Sequence, residues 1–181
     1  MALNAYLKLK GQQQGDIKGS VVQKGREGKI LVVAASHALS QPFAAATGQA
    51  SGKRQHQPFV VTKPVDAASV PLYQMLAGNE LATEWELQFW TPKGTGTVGS
   101  ASGVEQQYYT VRLSDARVCQ IRFVMPDTRD ATLLRWTEYE EVSFTYSRIE
   151  WLWVASGKLA SDTWGSTARA TRKKAAAART R

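Results

Sequence analysis

The longest stretch with a strand-like pattern covers residues 138–153, EYEEVSFTYSRIEWLW. Val142, Phe144 and Tyr146 share one face and Ser143, Thr145 and Ser147 the other, which is the two-residue period of a half-buried strand. The apolar set then becomes Ile149, Trp151 and Trp153, so the period slips by one residue and predicts a β-bulge near Ser147 or Arg148. Further alternating runs predict strands at 3–9, 17–23, 58–62, 81–90, 109–113 and 118–125, the last two joined by a hairpin turn at 114–117. Residues 29–37 are continuously apolar or small, as expected of a strand covered on both faces. Only residues 66–77 read as a helix. Asp66 and Ser69 offer caps, Pro71 lies in the first turn, Leu72, Met75 and Leu76 share a face, and Gly78-Asn79 ends it.

About eight or nine strands against one helix predict an all-β, mainly antiparallel domain, a closed β-barrel or tight two-sheet sandwich with one flanking α-helix. The length of 181 residues suits one domain, placed at 1–164, with a basic, alanine-rich tail at 165–181 expected to be disordered alone. One segment breaks the pattern. Residues 38–55 have no usable period, and a loop of that length inside a compact domain is either disordered or used for something.

Charge changes the picture only at the end of the chain. The net charge is +8, but Arg169, Arg172, Lys173, Lys174, Arg179 and Arg181 supply six positive charges beyond the last acid, leaving 17 basic against 15 acidic residues in 1–164. A nucleic-acid-binding barrel using the tail as an arm is therefore the alternative function, and the near-neutral body argues against nucleic acid binding anywhere else. The single cysteine, Cys119, excludes an internal disulfide, and its place in the phase Cys119, Ile121, Phe123, Met125 predicts a small buried core residue. No apolar run is long enough for a membrane helix and no signal-peptide pattern opens the chain, so the expectation is cytosolic synthesis without membrane insertion.

Catalytic and cofactor chemistry finds little support. The run GTGTVG at 94–99 has dinucleotide-loop spacing, but a strand rather than a helix is expected after it. His37 and His56 are the only histidines and have no metal-ligand spacing around them. Ser36 with either histidine lacks a nucleophile elbow. The expectation is a non-enzyme with no cofactor and no metal. Glu138, Glu140 and Glu141 read as a solvated rim.

Four pieces in order nevertheless form a recognisable pattern: MALNAYLKLKG at the start, GKRQHQPFVVTK at 52–63, SVPLY at 69–73, and YEEVSFTY with IEWLW at 139–153. Over residues 1–164 the chain resembles the haemolysin-coregulated protein (Hcp) family of bacterial type VI secretion systems. The resemblance implies a non-catalytic tube protein: a β-barrel with one helix, forming homo-hexameric rings that stack into a hollow tube. It also implies a spike protein at the tip, a contractile sheath, effectors in the lumen, and export from the bacterial cytoplasm. On that reading Phe43, Lys53, Arg54, Gln55 and His56 are interface candidates, meeting Glu138, Glu140 and Glu141 of a neighbour by charge complementarity. Ser36 is the lumen candidate. The tail departs from the family pattern.

Overall fold

Ser147 and Asp115 form a corner around which two long strands bend together. The computed structural model describes residues 4–94, 101–133 and 135–164, so most of the 94–99 glycine run and the tail residues Arg169, Arg172, Lys173, Lys174, Arg179 and Arg181 lie outside the described residues. Strands β9 (Ala101–Ser114) and β10 (Ala116–Val124) are separated only by Asp115, and β11 (Tyr139–Thr145) and β12 (Arg148–Trp153) only by Tyr146 and Ser147. Ser114 faces Arg148 and Arg117 faces Thr145, so a single antiparallel register continues through the bend. Asp115 takes a left-handed φ of 52°, and Ser147 closes the corner by donating its N–H to Ser114 O (2.9 Å) and its hydroxyl to Asp115 Oδ2 (2.6 Å).

This geometry corrects two expectations. Residues 113 and 118 are not hairpin partners, because the chain runs on across Asp115 instead of reversing. The slip of phase after Tyr146 marks the corner, where the long strand exchanges one set of neighbours for another: β11 lies between β10 and β7, while β12 lies between β9 and β13.

The rest of the sheet curls around this pair. β1 (Ala5–Gly11) pairs with β2 (Gly15–Ile17), β3 (Ile30–Val32) and β8 (Leu81–Gly94). Val33 connects β3 to β4 (Ala34–Ser36), which pairs with β7 (Phe59–Pro64). Chain continuity and hydrogen bonding thus lead from β8 through β1, β3, β4, β7, β11 and β10 back to β8, where Ala116 faces Ala82. The strands are antiparallel throughout and enclose Leu7, Ile30, Val61, Trp85, Leu87, Phe144 and Ile149, all at most 2% exposed. Trp85 is the hub, with Phe59 and Phe144 edge-on to it at 5.1 and 5.6 Å.

The helix α1 (Ser69–Ala77) lies against β10 and buries Ser69, Leu72 and Met75. Asp66 Oδ1 accepts the Ala68 N–H, and Asn79, at φ 48°, ends the helix while Glu80 N–H returns to Met75 O. The predicted strand at 17–23 stops at Ile17. Beyond it, 18–29 is a loop held by Gly19 N–H to Gly28 O and by the Arg26 guanidinium, which lies between the Tyr6 and Trp90 rings. A side chain at Gly19 would meet Lys29 O at 2.6 Å.

Two further expectations fail for local reasons. Residues 34–36 are exposed, since β4 sits at the end of the strand order with its second edge unpaired among the described residues. Cys119 is exposed because it is the extra residue of a bulge between Val118 and Gln120, and so falls out of the phase in which Ile121 and Phe123 pair with the inward Val142 and Glu140; Phe123 and Met125, towards the end of the strand, are nevertheless 53% and 62% exposed.

Candidate functional site

Residues 38–57 are a stiffened arm. β5 (Leu39–Ser40) pairs with β6 (Gln55–His56), Phe43 bridges to Ala50, and backbone bonds join Ser51 N–H to Pro42 O and Ala44 N–H to Gln49 O. Phe43 near its tip is 68% exposed, and Lys53 and Gln55 are exposed.

Its base is clamped. Arg54 forks onto Asp162 of β13 (Lys158–Thr163) through Nε and Nη2, each at 2.6 Å. The buried His56 ring stacks on Trp164 at 5.4 Å and places Nδ1 3.0 Å from the Tyr146 hydroxyl. Its Nε2 comes within 3.3 Å of Asp162 Oδ2 without hydrogen-bond alignment. His37, at the other side of the arm's base, hydrogen-bonds the same hydroxyl at 2.6 Å and stacks on Phe59. Burial raises the Tyr146 phenol, helped by the Asp162 charge, to about 12. Burial lowers the His37 pKa, and the neighbouring His56 adds to the effect. Burial also pushes the Asp162 carboxyl up, but the Arg54 fork, the Thr163 N–H and the charges of Arg54 and His56 outweigh it and hold the pKa below its ordinary value.

Glu140 is a correction. It is 2% exposed and belongs to no rim: its Oε2 accepts hydrogen bonds from Lys63 Nζ (3.0 Å) and Ser69 Oγ (2.8 Å), while Lys63 also reaches Asp66 Oδ1 at 2.8 Å and Pro64 O at 2.8 Å. Glu138 is exposed, and Glu141 is half-buried beside Arg122 at 3.1 Å. The arm's base lies at the Tyr146 end of β11 and these acids at its Tyr139 end. Seven strand residues at about 3.3 Å each separate them by roughly 20 Å within one chain. Ser36 is exposed on β4 beside His37 at the edge of an open cleft.

A family model described as the type VI secretion system effector Hcp matches residues 6–153. The chain belongs to the Hcp family. A curated relative, the major exported protein of Pseudomonas aeruginosa, is 34% identical over 175 residues, covering 92% of this chain and 98% of the relative. Among solved structures, one Hcp crystal structure superposes with a TM-score of 0.79 at 26% identity, covering 91% of this chain and 99% of that one. A doubly mutated Hcp1 of E. coli EAEC 042 gives 0.76 at 31% identity, with 90% and 99% covered. As an Hcp, the chain is a subunit of the type VI secretion tube, exported by that system.

Sequence reasoning missed Asp162, Tyr146 and Lys63 as organising residues. The signal for the last was present: Lys63 follows Phe59 and Val61 in the inward phase of β7, and Glu140 precedes Val142 and Phe144 in that of β11.

Proposed function

We propose that the chain assembles head-to-tail into six-membered rings that stack into a hollow tube, with a spike at the tip, a contractile sheath outside and effectors in the lumen. The observation that carries this reading is coverage: the chain matches 98% of an exported Hcp relative and superposes on 99% of the E. coli Hcp1 chain. Residues 1–164 act as one unit and 165–181 as an appended basic segment. Its role is structural and not catalytic. In support, His37 and His56, the side chains best suited to acid–base work, are both engaged on the Tyr146 hydroxyl as fasteners of the wall.

Within a ring, Lys53 and Gln55 on one subunit's arm face Glu138 and Glu141 of the next, and Ser36 lies on the lumen side. The roughly 20 Å between the two charged groups in one chain suits a contact made between copies. Negative-stain images of the purified protein are expected to show rings about one subunit thick and stacks of them. A monodisperse monomer at every concentration overturns the reading.

A further inference from the structure

Both ends of the arm converge on one hydroxyl. His37 immediately precedes the arm and His56 lies on its return strand, and their Nε2 and Nδ1 atoms stand 2.6 and 3.0 Å from the Tyr146 oxygen. Beside them the Gln57 N–H donates to Ala38 O at 3.0 Å and closes the arm's base. A phenol has one hydrogen to give, so with both imidazoles neutral one ring accepts that hydrogen and the other donates to the oxygen. The Asp162 carboxylate, 3.3 Å from His56 Nε2, favours a hydrogen on that nitrogen. His56 Nδ1 is then the acceptor, and His37 Nε2–H the donor.

Protonating both rings breaks this division. His56 Nδ1 gains a hydrogen, the Tyr146 hydrogen loses its acceptor, and two imidazolium rings point at a single oxygen. The phenol cannot yield its proton in response, since its pKa is raised to about 12. Little nearby offsets the charge. His37 stacks on Phe59 beside Trp151 and shares an apolar cleft with Tyr108 and Tyr109, all of them uncharged. Arg54 and Asp162 are the charged groups facing His56 among the described residues, and Arg54 already forks onto that carboxylate. Trp164 covers the His56 ring, and Asp115 at the corner is engaged by the Ser147 hydroxyl. Burial, with His56 adding to it, accordingly lowers the His37 pKa.

We infer that His37, His56 and Tyr146 form an acid-sensitive latch: when both rings carry a proton the arm's base opens and residues 38–57 swing free, while the curled sheet behind them stays folded. The change stays local because β5 and β6 form a two-stranded sheet of their own, paired to no strand of the larger one. Every atom of the latch belongs to one chain, so it stands apart from the ring reading. The chain carries an ordered arm near neutral pH and a loose one in acid surroundings.

The test is backbone hydrogen exchange of the full-length chain at about pH 7.5 and about pH 5, corrected for the intrinsic pH dependence of exchange. Protection within 38–57, that of the Gln57 N–H above all, is expected to fall about tenfold or more at the lower pH, the equivalent of one pKa unit, while β1 and β8 keep theirs. His37→Gln offers Tyr146 a side-chain N–H but cannot take up the proton, and it is expected to abolish most of that fall. In the wild-type chain the loss of protection is expected to track the second of the two imidazole titrations followed by NMR. Unchanged protection within 38–57, or an equal fall in β1 and β8, overturns the latch. So does a fall as large in His37→Gln as in wild type, or one that follows neither imidazole.

Discussion

Lys63 Nζ and Glu140 Oε2 lie 3.0 Å apart with neither residue more than 2% exposed, and together with Ser69 they tie α1 to strands β7 and β11. Removing one partner strands the other charge in the core. Lys63→Ala or Glu140→Ala is expected to cost about 3–5 kcal/mol, whereas the double replacement Lys63→Met with Glu140→Leu costs clearly less than the sum. Urea unfolding of the four proteins measures the coupling.

Tyr146 serves both histidines with one hydroxyl. Tyr146→Phe leaves two imidazoles without that partner and is expected to destabilise by about 1–3 kcal/mol, read as a lowered unfolding midpoint.

Stability should depend on pH through the same cluster. The folded-state pKa of His37 lies below its ordinary value of 6.5, so the unfolded chain binds the proton more readily. The contribution is complete above about pH 6.5 and declines as the pH falls through the window below it. A thermal-melting profile should show this decline, and His37→Phe should reduce it. Asp162 adds a second loss at more acid pH, since its depressed carboxyl stabilises the fold above the ordinary 3.8 and ceases to do so as it protonates.

Arg54 and Asp162 fasten the arm to the terminal strand. Asp162→Asn should weaken the fork by about 1–3 kcal/mol and speed cleavage within 38–55 in limited proteolysis, before global unfolding sets in. Equal cleavage rates in variant and wild type would show that the clamp is not what restrains the arm.

Charge complementarity between copies is tested by reversal. Lys53→Glu should weaken assembly, Glu138→Lys in the same chain should restore part of it, and both effects should shrink at high salt. Analytical ultracentrifugation reads all three.

Fold class, the helix and most strands were legible because alternation and helical spacing are local properties of the chain. What escaped was whatever required knowing a strand's neighbours. The phase slip after Tyr146 was visible, but whether it meant a bulge or a corner depended on Asp115, a residue 32 positions earlier. Cys119 looked inward because the extra residue of a bulge cannot be identified without its partner strand. Glu140 was assigned to a rim by its charge although its phase placed it inside, and the cation that permits its burial, Lys63, lies on another strand. Family membership was readable from four short pieces. The arm's clamp was not, because its acid is 108 residues from Arg54.

The corner at Asp115 and Ser147 also bears on mechanics. Each of the two strand pairs that cross it traverses both halves of the sheet without interruption, so a push on one end of the subunit travels along covalent backbone and a shared hydrogen-bonded ladder. No side-chain interface has to slide for the load to pass. A wall built from such subunits would resist shear within each brick, and under sudden axial thrust it would part first at the joints between bricks.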